Sequence, residues 1–306
     1  MKSAFNKILD ILNRFLAWLW SKCGHVFGDE AYLKVRYRLL MRKKLDLKKP
    51  ITYSEKLQWL KLYNKKPEYT TIVDKYAVKD YVAKIIGEKY IIPTLGVWNN
   101  PDEIDWDSLP EKFVLKTTHG GGGFGVVICK DKKSFDRNAA VNILKKNMKC
   151  DWRIQMEWPY KDVPHRVIAE KFIDPDPQTK DLPDYKFSCF DGDVTDVMVC
   201  IGRSTGNTKF YFFDRDWKLL PLNILGKEAP EGFTLPKPAC IDEMFEIASK
   251  LSKGLPYARV DLYATEGITY FGEITFYPQS GFDRNLLPET ELFYGEKIIL
   301  PNLKSK

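Results

Sequence analysis

Phe113-Val-Leu-Lys116-Thr-Thr-His119-Gly-Gly-Gly-Gly-Phe124-Gly-Val-Val-Ile-Cys129-Lys130 is the stretch that decides how this chain folds. It spells a strand ending on a lysine, a loop with five glycines in six residues, and a second strand. Gly120, Gly122 and Gly125 match G-x-G-x-x-G, but a dinucleotide fingerprint needs a helix after the glycines. Val126, Val127 and Ile128 are β-branched and run into Cys129, which predicts a strand instead. Strand, glycine loop and strand make a flap whose backbone N–H groups can close over a polyphosphate, with Lys116 as a fixed cation beneath. Taken alone, the stretch is equally a glycine-rich hairpin without a ligand.

Working outward, the charge is uneven. The 306 residues carry a formal net charge of +7, yet residues 1–66 hold sixteen Lys/Arg against five Asp/Glu, so the remainder carries −4. A basic N-terminal segment suits anionic lipid, an anionic substrate or nucleic acid, and is most often a solvated face. With 44% apolar and 29% charged residues the chain can bury a substantial core. The six scattered cysteines form no C-x-x-C pair, and with three histidines a structural zinc site is not expected. No run of apolar residues is long enough to cross a membrane. From Ala4 to Trp20, twelve of seventeen residues are apolar, interrupted by Lys7, Asp10 and Arg14. That pattern fits an interfacial amphipathic helix, giving a peripheral membrane contact through residues 4–20, or a helix packed on the protein's own body or a partner.

Periodicity and caps place the remaining elements. Ala31 to Lys44 reads as a basic helix, and Thr52 with Glu55 has capping-box spacing for a helix over 53–63. Asp74 to Val82 reads as a helix closed near Gly87, Ile91–Pro93 and Leu95–Trp98 as short strand pieces, and Ser134 to Lys149 as a helix. Arg166 to Ile173 alternates as a strand and runs into Asp174-Pro-Asp-Pro177, the best boundary in the chain. Two strands around an Asp191-Gly192 turn, a strand at Phe210–Phe213, a helix at Asp242–Leu251 and a final hairpin follow. Strands joined through tight turns give antiparallel sheets, so the fold class is α+β. The expected domains are a helical basic segment (1–70), a lobe carrying the flap (71–173) and a C-terminal lobe (174–306).

The final hairpin carries Arg259-Val-Asp261 and Glu273-Ile-Thr275, each pair on one strand face. A three-residue loop, Thr265-Glu266-Gly267, would pair Ala264 with Ile268, Asp261 with Phe271 and Arg259 with Glu273. Asp261 then lies diagonal to Glu273 on one face. Two carboxylates that close repel unless a cation sits between them, and Mg²⁺ shared with nucleotide phosphates answers that demand. A four-residue loop would put them on opposite faces, leaving a surface hairpin with an ion pair.

The lysine-ended strand, glycine flap, Glu-x-Phe-Ile strand and Arg-x-Asp…Glu-x-Thr hairpin resemble the ATP-grasp fold, and most closely the TupA-like ATP-grasp proteins of bacterial surface polysaccharide and teichuronopeptide assembly. The resemblance also covers Thr52-Tyr-Ser-Glu-Lys-Leu-Gln-Trp59, Asp74-Lys-Tyr-Ala-Val-Lys-Asp-Tyr81, Tyr90-Ile-Ile-Pro93, Leu109-Pro-Glu-Lys-Phe and Tyr185-Lys-Phe187. It implies two antiparallel-sheet lobes clasping ATP. Lys116 and Lys75 or Lys79 would contact the phosphates, Gly120, Gly121, Gly122, Gly123 and Gly125 would close over them with His119 at the root, and Lys186 would add a polar contact. Glu170 and the backbone at Phe172 would hold adenine or ribose. Asp261, Glu273 and Thr275 would bind Mg²⁺, and Arg259 would sit beside the reacting carboxylate. The flap has only glycines where the family tends to have a polar residue, and Thr275 replaces a metal-binding Asn of many ATP-grasp ligases.

The implied reaction is ATP-dependent ligation of a carboxylate to an amine through an acyl phosphate, on a sugar or uronic acid of a surface polysaccharide. It needs no covalent nucleophile, in keeping with the lack of a Ser-His-Asp or Cys-His pattern. A sugar phosphotransferase, a glycosyltransferase-like enzyme and a non-catalytic membrane-docked scaffold are the rivals. Nucleic acid is not an expected partner, and the expected location is the cytoplasm, in peripheral contact with the inner face of the membrane.

Overall fold

A computed structural model describes residues 28–121, 125–151, 155–175, 182–202 and 206–302, together with Phe15 and Trp20. Apart from those two aromatics, the expected helix over residues 4–20 lies outside the described residues, as do Gly122 and Gly123.

From residue 28 onward, the described residues open with the helices α1 (Asp29–Met41), α2 (Tyr53–Tyr63), α3 (Glu68–Val73) and α4 (Ala77–Ile86). The capping box that sets the start of α2 is present in both directions, Thr52 accepting from Glu55 N at 3.4 Å and Glu55 accepting from Thr52 N at 3.1 Å. Strands β1 (Thr94–Trp98), β2 (Phe113–Thr117) and β3 (Val126–Cys129), helix α5 (Arg137–Asn147) and β4 (Val167–Lys171) follow. They form a four-stranded antiparallel sheet in the order β1-β4-β2-β3. Its apolar face, Phe113, Leu115, Val167 and Ala169, packs with Leu144 of α5 as a core of its own.

The rest of the chain builds β5 (Asp184–Phe190), β6 (Asp193–Ile201), β7 (Lys209–Phe213), β8 (Leu219–Leu220), α6 (Ile224–Lys227), α7 (Ile241–Ser252), β9 (Ala258–Thr265), β10 (Ile268–Thr275) and α8 (Pro288–Lys297). The six strands form a second antiparallel sheet, β10-β9-β5-β6-β7-β8. Asp191 (φ 48°) and Gly192 (φ 88°) make the expected two-residue turn between β5 and β6. The main core joins this sheet to α7 and to the N-terminal helices, from Leu33 of α1 and Leu57 of α2 to Phe187, Phe245 and Val260. Helices α2 and α8 meet closely: Ser54 donates from N and Oγ to Glu291 at 3.0 and 2.6 Å. Gly295 is required there, because a Cβ would lie 2.1 Å from the Ile51 carbonyl oxygen.

Two expectations fail locally. Ile91–Pro93 is not a strand, since Ile92 O accepts from Lys79 Nζ and Pro93 has no N–H to give a ladder. The helix expected from Ser134 begins at Arg137, where the Asp136 carboxylate accepts from Ala139 N at 2.9 Å and fixes the cap.

Candidate functional site

The four-stranded sheet turns one polar row away from its core. Glu170 pairs with Val114 on β2 and with Thr94 on β1, so Lys116, two residues beyond Val114, shares the Glu170 face. Lys116 Nζ lies 2.5 Å from Glu170 Oε2, and Lys79 Nζ, reaching in from α4, lies 2.6 Å from Oε1. Lys79 also donates to Ile92 O and Thr94 Oγ1, both at 2.8 Å. Burial alone would raise the Glu170 carboxyl, but the two ammonium groups outweigh it and hold it below its ordinary value. Burial lowers Lys79. A cavity lies here between the two sheets, lined by Lys75, Lys79, Lys116 and Glu170 on one side and by Phe271 and Gly272 on the other. Three lysines against one carboxylate make its wall cationic.

Beside it, three strands of the second sheet put charged residues in a row. Lys186 on β5 is the cross-strand partner of Asp261 on β9, and Asp261 of Glu273 on β10. The expected register is wrong. The turn holds two residues, Glu266 (φ 50°) and Gly267 (φ 76°), and pairs Thr265 with Ile268. Continued evenly, that register would place Gly272 opposite Asp261 and send Glu273 to the far face. A bulge between Phe271 and Glu273 inserts one residue and restores the acid to the Asp261 side. The two acids are therefore directly opposite, not diagonal, and Thr275 rather than Glu273 faces Arg259.

Every carboxylate in the row is held. Arg259 grips Asp261 with Nε at 2.6 Å and Nη2 at 2.7 Å, and the same Nη2 lies 3.5 Å from Glu273 Oε1 and 3.3 Å from Thr275 Oγ1. Lys186 Nζ bonds Asp261 from the other side and reaches Asp184 at 2.7 Å. Lys75 Nζ closes on Glu273 at 3.0 Å and also lines the cavity, so it joins the two clusters. Burial pushes the Asp261 carboxyl up against the opposing pull of Arg259 and Lys186. Burial acts the same way on Glu273, but Lys75 and Arg259 override it and hold that carboxyl well below the usual range. Burial opposes the charge of Arg259, and contact with Asp261 more than restores it.

Lys75 is aimed by its neighbours. Its N–H donates to Thr118 O at 3.0 Å. Just ahead of α4, Asp74 accepts from Tyr76 N at 2.8 Å and from Arg166 Nη2 at 2.7 Å. Arg166, the first residue of the strand expected over Arg166–Ile173, is thus a strut behind Lys75. Asp184 is a member of the site that the motifs do not contain, although its spacing from Lys186 puts both on one face of β5. Phe172 stands apart, one residue beyond β4, its ring 5.7 Å from Lys112 Nζ.

At the flap root, Gly125 has φ 76°, and a Cβ there would meet Thr117 Oγ1 at 2.7 Å. His119 is buried. Its Nε2 lies 3.0 Å from Asn147 O, its ring stacks on His165 at 3.7 Å, and Nδ1 has no partner among the described residues. A carbonyl accepts, so Nε2 carries the proton and the neutral ring leaves Nδ1 as an acceptor, which does not suit a phosphate oxygen. Burial, helped by His165 and Lys75, lowers its pKa to about 4. Because the unfolded chain binds this proton first, stability is lost as pH falls from about 6.5 to about 4. Melting curves between pH 7 and 4 should therefore fall more steeply for the parent than for His119→Asn; parallel curves would remove this account.

Among the described residues no group of three or more His, Cys, Asp or Glu side chains could hold a metal, and no helix is long and apolar enough to cross a membrane. The family model described as TupA-like ATPgrasp matches residues 55–299. No curated protein matches the chain. Among solved structures, the D-alanine–D-alanine ligase of Bacillus anthracis is similar at 18% identity and TM-score 0.45, covering 74% of this chain and 66% of its own. The Helicobacter pylori D-alanine–D-alanine ligase is similar at 16% identity and TM-score 0.42 (81% and 69% covered). D-cycloserine synthetase DcsG is similar at 12% identity and TM-score 0.45 (76% and 70% covered).

Proposed function

The chain belongs to the TupA-like ATP-grasp family, and from that membership we propose that it is an ATP-dependent carboxylate–amine ligase acting on a sugar or uronic acid in bacterial surface polysaccharide assembly. One observation supports the reading above the others: Arg259 Nη2 touches Asp261, Glu273 and Thr275 together, and Lys75 links that group to the cavity of Lys79 and Lys116. A triphosphate would lie along the lysines, with Asp261, Glu273 and Thr275 holding Mg²⁺ and Glu170 at the nucleoside end. When bound, Mg²⁺ supplies charge neutralisation across the phosphates. Lys116 orients and neutralises the transferring group, Lys79 contributes its charge from beside Glu170, and Arg259 holds the carboxylate that receives it. The carboxylate oxygen bonds to the terminal phosphorus as ADP leaves; the amine nitrogen then bonds to the acyl carbon as phosphate leaves, and the amine's proton goes to solvent.

The charges fit such a ligand and also limit it. Five cations (Lys75, Lys79, Lys116, Lys186, Arg259) face four carboxylates (Glu170, Asp184, Asp261, Glu273). A bare divalent ion would add positive charge to acids that are already paired, whereas the magnesium–nucleotide complex brings negative charge for the lysines. Calorimetry should show no saturable Mg²⁺ binding to the free protein, and clear Mg²⁺ binding once a non-hydrolysable ATP analogue is present. Tight Mg²⁺ binding without nucleotide would contradict this arrangement.

The reaction is tested by mass spectrometry of products from the chain, ATP, Mg²⁺, pooled amino acids and uronic-acid acceptors. An amide with ADP and phosphate supports the ligase; a phosphate ester with ADP makes the chain a sugar phosphotransferase.

A further inference from the structure

The surface of α1 and of the loop after it is strongly basic. Between Ala31 and Ser54 the chain has eight Lys/Arg and one acid, Asp46. Arg38, Lys43, Lys44, Lys48 and Lys49 are exposed and make no ion pair among the described residues, while Lys34 is paired with Glu30. The loop is built rather than slack. Leu45 and Leu47 are buried in the main core, so the residues between and around them point outward. Asp46 is turned onto its own backbone, accepting from Lys48 N at 2.8 Å and Lys49 N at 3.0 Å, and this lowers its carboxyl. The single acid thus shapes the loop and cancels only one of its positive charges.

Two further features stand beside these cations. Val35 and Ile51 are 46% and 60% exposed aliphatic residues. Trp20 packs on α1, its ring 5.0 Å from that of Tyr32. We propose that the outer face of α1 and its following loop, Arg38 to Lys49, is a docking surface for a bilayer rich in anionic phospholipid headgroups. Four of the five cations are lysines, compact charges on flexible stems that suit a diffuse negative field, where bidentate phosphate recognition calls for arginine. Exposed aliphatic rather than aromatic side chains suit an acyl boundary better than stacked bases. Polybasic attraction with an apolar insertion supplies the two contributions that stable peripheral binding needs.

The test is co-sedimentation of the full chain with vesicles of phosphatidylcholine alone and of phosphatidylcholine doped with phosphatidylglycerol. Binding is expected only to the anionic vesicles, and to weaken as salt rises. The quadruple variant Lys43→Gln, Lys44→Gln, Lys48→Gln, Lys49→Gln should bind on the order of 10³-fold more weakly, whereas the four lysine-to-arginine changes should retain binding. Equal melting temperature and equal binding of an ATP analogue establish that the glutamine variant is folded, and separate this result from the ligase reading. Parent-like vesicle binding by the glutamine variant would place the contact elsewhere and overturn the proposal. So would indifference of the parent to anionic lipid, or tighter binding to polyuridylate or polygalacturonate than to the vesicles.

Discussion

Asp261→Asn is expected to release ADP about 10²–10³ times more slowly than the parent, the usual cost of losing one preorganised charged contact in an active site. The substitution keeps size and shape but removes the charge on which Arg259 and Lys186 converge. Those cations would then face each other across a neutral amide in a buried place. Removing one partner of a buried ion pair typically costs about 3–5 kcal/mol, so a lower melting temperature should accompany the loss of turnover. Near-ultraviolet circular dichroism at the assay temperature distinguishes a folded, slow variant from an unfolded one. A folded variant that keeps more than a tenth of parental ADP release would show that Asp261 does not carry the metal role assigned to it.

The second large effect concerns a residue with no side chain. Gly272 is the bulge position that returns Glu273 to the Asp261 face, and a Cβ there would lie 2.8 Å from Asp261 O and 3.0 Å from the Tyr263 ring. Gly272→Val has to displace β9 or flatten the bulge, and flattening reverses the direction of Glu273. Misplacing a catalytic group by about 1 Å can cost on the order of 10²-fold in rate, so ADP release should fall by about that much. The comparison that decides is with Gly267→Ala in the adjoining turn, where a Cβ meets nothing within 4 Å and strains only φ. That variant should lose stability yet keep most of its activity. Equal activity in both would mean that the bulge does not govern the site.

The register shows where sequence reasoning reaches its limit. Local rules placed the α2 capping box, the Asp191-Gly192 turn and the antiparallel sheets, because each depends on residues a few positions apart. The side-chain alternation of a strand has period two, so one inserted residue inverts every later assignment. The glycine that permits the bulge at Gly272 looks no different in sequence from a glycine that simply weakens a strand. The grouping of Asp261 and Glu273 was foreseen, but through a loop length that the chain does not adopt and a bulge that compensates. Lys79 against Glu170 and Arg166 against Asp74 were beyond local rules, as each pair is brought together by packing of α4 on the sheet edge. Asp184 was legible: it lies two residues before Lys186 on one strand, and its acid answers that lysine's charge.

The join between α2 and α8 has a consequence for biosynthesis. Ser54 and Glu291 are separated by 237 positions, and at ribosomal speeds that gap takes roughly 10–50 s to synthesise. Throughout that interval Tyr53, Leu57 and Leu60, deep in the finished molecule, have no α8 to cover them, and apolar surface left open in this way is prone to aggregate. Stop codons placed just before Pro288 should therefore yield aggregates rather than a shortened protein, even though they spare every residue assigned to nucleotide or metal.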